Sequence, residues 1–315
     1  MNSDSLYMAI DISSGPSARK YPVERFDSEP VGGWPIEYKT TKILLKRVRA
    51  CVFDMGYSPS GRVLDDEMFR GNAEHEVKLL KDYYIGVFPI TCRQWQLVMG
   101  HGQNRVRQED NDDLRPITNV SYNDIRGKWL GRVWPNSSVA DQGTFICRIR
   151  QKCGIDELDL PTEAEWENAA GGGIGSHFGV ELPCGTTWWS STGRYAMDDD
   201  RNRDFIKGAQ EFCWCWDHFA HTGPKSLMQV GQKRPNDWGF YDMCGNVGEW
   251  CLDCRDWNRV KESVTDPRGP DNYCYDGNST RIVKGGAYDL PAIYCSCHGN
   301  IQNPQFLGKA FSFLF

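Results

Sequence analysis

The chain has 315 residues, 40% of them apolar and 12% aromatic, with 32 glycines and 16 prolines. That content supports a sizeable folded core made of short elements and loops, not a helical bundle. A formal charge of −6 with no basic block gives no electrostatic footprint for direct nucleic-acid binding, and no run of about 18 apolar residues is present to span a membrane.

In chain order, Met1–Ile10 lacks the basic start, apolar run and cleavage site of a secretory signal, which leaves a removed signal, surface display and phage association all open. A strand is expected at Tyr7–Ile10, followed by a Pro/Gly-rich crossing through Pro30 and Gly33. Residues 1–42 read as a lead-in packed on a single domain spanning 43–315. Ile43, Leu44, Leu45 and Val48 lead into a strand at Cys51–Gly56, and another strand is expected at Tyr83–Phe88. Thr91 opens a helix carrying Trp95, Val98 and Met99, which Gly100 closes. Pro116–Val120 reads as a short strand. Ser138 or Asp141 is expected to cap a helix with Phe145, Ile146 and Ile149 on one face, ending before Gly154. Thr162 and Glu165 form a capping box at the start of the next helix, which stops at Gly171–Gly173. Periodicity then fails over 176–231, a long loop of the kind that usually serves a function. Arg281–Tyr288 and a buried final strand at Phe311–Phe315 complete the chain. Thirteen cysteines, an odd number, are expected to be mostly free thiols.

The segment Gly239–Trp250 is too polar and glycine-spaced for ordinary core. Asp242 and Glu249 stand seven residues apart, and Gly245 and Val247 lie between them, where glycines permit turns that aim carbonyls inward. Two carboxylates and two carbonyls make an oxygen cage suited to a hard cation such as a structural calcium ion. A solvated turn before a strand at Trp250–Leu252 accounts for the same residues. Cys213, Cys215, His218 and His221 are zinc-compatible ligands in spacing that matches no common finger, and an aromatic loop over the core reads equally from them. Cys251 and Cys254 are read as a structural pair. Trp188, Trp189, Trp214 and Trp216 line a ligand surface or cover the long loop.

Six ordered motifs, Phe53-x-Met55-Gly56, Tyr84-Ile85-Gly86-Val87, Pro116-x2-Asn119-Val120-Ser121, Leu160-Pro161-Thr162-Glu163-Ala164-Glu165-Trp166-Glu167, Gly245-Asn246-Val247-x-Glu249-Trp250 and Lys284-Gly285-Gly286, resemble the formylglycine-generating enzyme, or sulfatase-modifying factor, family. The resemblance implies an irregular α+β fold, a C-type-lectin variant with short strands, few helices and much loop. It also implies a calcium site at the loop of Asp242, Gly245, Val247 and Glu249. The family's oxidases bind copper through two cysteines five residues apart after the Gly-Gly motif. Soft thiolates select that metal. Here the first is Cys295, and the fifth residue after it is Asn300, with Cys297 at the wrong offset unless a local register change brings it to Cys295, so the copper site is incomplete and Cys295 is catalytic only if the chain is nonetheless a copper-dependent oxidase acting on a cysteine of a sulfatase-type peptide. A histidine triad of the family's sulfoxide synthases is not visible.

Gly285-Gly286-Ala287-Tyr288, Ala292, Cys295, Asn303-Pro304 and Phe313 resemble the tail of a second branch, the variable proteins of diversity-generating retroelements. That resemblance implies a non-catalytic protein whose binding surface is diversified in its last few dozen residues. The ligand-binding positions would be Tyr288, Asp289, Leu290, Pro291, Ile293, Tyr294, Ser296, His298, Asn300, Ile301, Gln302, Gln305, Phe306, Leu307 and Lys309, with a protein or cell-surface ligand as partner. Leu290, Ile293, Tyr294, His298, Phe306 and Leu307 would then form an exposed apolar patch. Ser312, Leu314 and Gly248 depart from that branch's pattern.

Overall fold

The computed structural model describes residues 5–56, 74–102, 112–127, 134, 137–171, 211–216, 226–254, 262–269, 281–290, 295 and 311–312. An antiparallel sheet of order β2-β1-β3-β6 is built from β1 (Tyr7–Asp11), β2 (Val23–Phe26), β3 (Lys42–Val48) and β6 (Tyr83–Gly86). β1 is apolar on both faces and is buried between β2 and β3, with Ile10 opposite Val23 on one side and Ile43 on the other. A single helical turn, α1 (Glu37–Thr40), precedes β3. A second sheet, β4-β5-β8, joins β4 (Cys51–Met55), β5 (His75–Leu79) and β8 (Val264–Thr265). In β5, His75, Val77 and Leu79 alternate inward against outward Glu76 and Lys78, the period of a half-buried strand. The third sheet, β10-β7-β9, sets β7 (Gly248–Cys254) between antiparallel β9 (Arg281–Lys284) and parallel β10 (Phe311–Ser312).

The helices follow their end signals. α2 (Cys92–Met99) starts where Thr91 Oγ1 accepts from Gln94 N at 3.2 Å and Gln94 Oε1 accepts from Thr91 N at 3.0 Å, and it stops at Gly100 with φ 85°. α3 (Tyr122–Ile125) is one capped turn. α4 (Phe145–Cys153) packs on α2 through the stacked rings of Trp95 and Phe145, 5.2 Å apart. Its cap is Thr144, not Ser138 or Asp141, because the chain before Thr144 turns back through a bond from its hydroxyl to the Asp141 carbonyl at 2.6 Å. α5 (Glu163–Gly171) begins at the expected Thr162–Glu165 capping box.

Three further expectations are corrected. Pro116–Val120 forms no strand; it contributes one bridge, Thr91 to Pro116. The strand at 83 ends at Gly86, one residue before Val87 N makes a last bond to the Leu44 carbonyl of β3. Cys254 is disulfide-bonded while Cys251 is a free, buried thiol, so the two are not a pair. Of the long loop over 176–231, only 211–216 and 226–231 lie among the described residues.

Candidate functional site

The loop from Phe240 to Glu249 is tied down at both ends before it turns. Tyr241 N donates to the Val87 carbonyl at 3.0 Å, and Gly245 N to the Gly285 carbonyl at 2.7 Å. Asp242, Gly245 and Asn246 all have φ between 55° and 71°, so the backbone is left-handed at three positions in five. Asn246 offsets that cost with contacts on every side. Its side chain accepts from Met228 N at 3.0 Å and donates to the Met228 carbonyl at 3.1 Å. Its own amide reaches the Trp214 carbonyl at 2.7 Å, and its carbonyl receives Tyr288 N at 3.0 Å.

The two carboxylates of this loop point into the protein, not out of it. Asp242 is 3% exposed and Glu249 is fully buried. Asp242 Oδ2 accepts from Gly231 N at 2.6 Å, and Glu249 Oε2 from Trp166 Nε1 at 2.7 Å. The other oxygen of each, Asp242 Oδ1 and Glu249 Oε1, is buried with no hydrogen-bond partner among the described residues. Burial pushes the Asp242 carboxyl up to about 6, against the opposing pull of the Gly231 amide and of Lys39. Burial likewise holds the Glu249 carboxyl well above its usual range, and the Asp242 charge raises it further. Two orphaned, desolvated carboxylate oxygens that repel one another are what a hard cation would relieve. The Gly245 carbonyl accepts from Val247 N at 2.7 Å, which leaves it one lone pair. Among the described residues, no group of three or more His, Cys, Asp or Glu side chains is arranged to hold a metal ion. An ion here therefore depends on main-chain oxygens as well as the two carboxylates. The donor set fits calcium.

Trp166 links this loop to the Leu160–Glu167 motif. On the same helix, Glu163 and Glu167 sit one turn apart and flank Lys284, whose Nζ lies 3.5 Å from Glu163 Oε1 and 2.8 Å from Glu167 Oε2. Lys284 is wholly buried, so the ion cluster welds α5 to β9. Gly285 follows it because a Cβ there would stand 3.2 Å from the Trp166 ring.

Of the expected ligand positions, Tyr288 is half-buried and Asp289 is exposed. Leu290 is a correction. It is buried at 6% exposure in the core, where a turn brings its amide to the Ala287 carbonyl and its carbonyl to Trp216 N, so it cannot belong to an exposed patch. Pro291, Ile293, Tyr294, Ser296, His298, Asn300, Ile301, Gln302, Gln305, Phe306, Leu307 and Lys309 lie outside the described residues, as do His218, His221, Trp188 and Trp189. Trp214 and Trp216 are half-buried.

Residues 46–312 match the family of sulfatase-modifying factor enzyme 1-like domains. The chain belongs to that family. It is 33% identical over 251 residues to the formylglycine-generating enzyme of Streptomyces coelicolor, covering 75% of this chain but 64% of that enzyme's own length. It is 28% identical over 231 residues to the chaperone protein LppX of Paenibacillus barcinonensis, covering 66% of this chain and 70% of that one. Among solved structures, it resembles Treponema denticola variable protein 1 with a TM-score of 0.53 and 24% identity, covering 87% of this chain and 94% of that one. PvdO from Pseudomonas aeruginosa gives a TM-score of 0.57 at 18% identity, with 86% and 93% covered. These likenesses show the expected irregular α+β, C-type-lectin-like fold.

Within this sulfatase-modifying factor family, the surroundings of Cys295 bear on chemistry. The fifth residue after it is Asn300 and the fifth before it is Leu290, so neither direction offers a thiol at that spacing. The structure gathers other thiols there. Cys213, Cys215, Cys244 and Cys295 are all buried, Cys213 Sγ packs against Gly245, and the Cys244 thiol donates to the Cys295 carbonyl at 2.6 Å. Burial pushes the Cys213 and Cys295 thiols up, so both are protonated at neutral pH. Sequence spacing misses this cluster because Cys244 and Cys295 are distant in the chain from Cys213 and Cys215. The sequence singles out Cys213 and Cys215 together and Cys295 separately, and Cys244 carries no signal of its own.

Proposed function

We propose that the chain is a non-catalytic binding protein, presenting a diversified segment within 285–315 on a sulfatase-modifying-factor scaffold whose 242–249 loop is held by calcium. The observation that carries the reading is the absence of a thiol five residues from Cys295 in either direction. A copper pair of that spacing cannot form. The fold likeness to Treponema denticola variable protein 1 over 94% of that chain supports the binding role. A protein or cell-surface ligand would meet the tail. Asp289 is exposed at its start, as such a surface requires. Calcium would be held by the Asp242 and Glu249 carboxylates with the Gly245 and Val247 carbonyls. It would supply a ligand partner to two buried oxygens, Asp242 Oδ1 and Glu249 Oε1, that have no hydrogen bond among the described residues.

The rival reading, a copper-dependent formylglycine-generating oxidase, is favoured by the thiols that stand around Cys295 and by the Streptomyces coelicolor relative. One assay separates the two. The protein is incubated with copper, oxygen and a Cys-x-Pro-x-Arg peptide, and peptide mass is followed for conversion of the cysteine to the aldehyde. No turnover is expected, and turnover would replace the binding reading with the enzymatic one. A companion measurement addresses display: serine at Asp289 and Tyr288 together is expected to change stability by less than about 1 kcal/mol, whereas Leu290→Ala should cost about 2–5 kcal/mol by urea denaturation.

A further inference from the structure

A cavity of about 710 Å³ is lined by the start of β6, the 155–162 connection from α4 to α5, and residues 266–268 after β8. Its floor belongs to the core, since Met8, Leu45, Leu158, Leu160 and Leu252 line it and are all buried. The rings of Tyr83 and Tyr84 stand beside them, and both hydroxyls donate to main-chain carbonyls, Tyr83 to Glu165 at 2.8 Å and Tyr84 to Ser5. Trp134 also lines it, with Nε1 donating to the Arg268 carbonyl at 3.1 Å and the Arg268 guanidinium 5.4 Å from its ring centre. The lining charge is one-sided, six acidic residues against three basic ones. Asp159 and Arg150 offset one another, because Arg150 Nη2 and Arg126 Nε reach the Asp159 carboxylate at 2.9 and 3.0 Å. Glu165 and Asp266 differ: neither makes an ion pair among the described residues. Glu165 Oε2 accepts from Thr162 N at 2.8 Å and from its hydroxyl at 2.9 Å, and Asp266 Oδ1 accepts from Leu80 N at 2.9 Å. Those bonds fix each carboxylate without neutralising it. Burial pushes the Glu165 carboxyl above its ordinary value against the two Thr162 bonds, and the Asp266 charge raises it further.

We propose that this cavity binds a small organic cation, a primary amine or guanidinium carried on an apolar stem. A largely apolar floor with a few fixed polar groups is the make-up of a small-molecule site, and the volume falls within the range such sites occupy. The stem packs on the leucines and the aromatic rings, whose π faces also favour a cation. The head meets the Glu165 and Asp266 carboxylates in a charge-assisted hydrogen bond. A neutral head leaves their charge unrelieved, and an anionic head is repelled by it. A bare metal ion gains nothing from the apolar floor. No residue of the 242–249 loop or of 285–315 lines the cavity, so this site is separate from both the calcium loop and the display surface, and it stands independently of that reading.

Three probes that share one stem and differ in the head test this: phenethylamine, 2-phenylethanol and 3-phenylpropionate. Calorimetric titration into the full chain is expected to give a Kd of about 1 mM or tighter for the amine, and binding weaker by about tenfold or more for the alcohol and the carboxylate. Two variants place the amine in the cavity. In Glu165→Gln the new side chain still accepts the Thr162 bonds of the capping box, and in Asp266→Asn it still accepts from Leu80 N and tolerates the φ of 41° at that position. Each is expected to weaken phenethylamine by about tenfold and to leave 2-phenylethanol unchanged, a split that lost packing would not produce. Glu24→Gln, on exposed β2, should leave both probes unchanged. Equal affinity for amine and alcohol, no heat from the amine at millimolar concentration, or full amine affinity in both variants would each overturn the proposal. Should one variant melt early, the other variant and the three-probe comparison on the unaltered chain decide.

Discussion

Asp242 Oδ1 and Glu249 Oε1 are each buried without a donor, and their fate has a sign that can be measured. Asp242→Asn keeps an acceptor for the Gly231 amide while removing the charge. If a calcium ion neutralises the pair, this change weakens the cage, lowers the melting temperature and abolishes any response to chelator. If no ion binds, the same change removes a repelling buried charge and raises stability, by about 1–3 kcal/mol. A thermal melt with and without chelator distinguishes the two, and the expected outcome is the first. The pH dependence of the chelated protein follows from the same residue. Asp242 has a folded pKa of about 6 against an ordinary value of 3.8, so the folded state keeps a proton that the unfolded state has lost. Its contribution is fully present below about pH 4 and is lost as pH rises through about 6. Urea titrations in chelator are therefore expected to show stability falling across that window, and calcium should remove the fall.

At the scale of elements, α5 joins the loop to β9 through Trp166 and through Lys284, which sits between Glu163 and Glu167. Lys284→Met would leave two carboxylates in a dry interior without their cation. The expected cost is about 3–5 kcal/mol by urea denaturation, and adding Glu167→Gln should recover part of it. Asn246→Ala, which deletes both side-chain bonds to Met228, should cost about 2–4 kcal/mol. The element starts were legible wherever the signal is local, as with Thr91 and Gln94 or Thr162 and Glu165, because both partners of a capping box lie within one turn. Thr144 was misplaced because Ser138 and Asp141 are equally good capping residues, and only the turn through the Asp141 carbonyl selects among them. The carboxylates of the candidate site were legible as a pair. Their orphaned oxygens, the role of Asn246 and the burial of Leu290 were not, since each is fixed by a partner far away in the chain: Trp166, Met228 and Trp216.

For the whole molecule, the loop at 242–249 is bonded to the chain just beyond β6 and runs into β7, so ion binding there is coupled to global stability. Excess chelator is expected to lower the melting temperature in proportion to the logarithm of free calcium, because an ion bound only by the folded chain shifts the equilibrium by mass action. An unchanged melt would remove the ion from the account. The described residues contain no helix long and apolar enough to cross a membrane. One arrangement reaches further than stability. Gly285 and Tyr288 bond Gly245 and Asn246, and Phe311 and Ser312 pair with Gly248 and Glu249. Residues 285–288 and 311–312 are thus both fastened to the stretch 245–249, and the distance between them is set by the scaffold. Closure cost then grows only with the logarithm of the length enclosed, about 0.6 kcal/mol per doubling. A series of graded insertions between 296 and 310 read by thermal melting is therefore expected to trace that gentle slope, and a steep loss of melting temperature with length would contradict it.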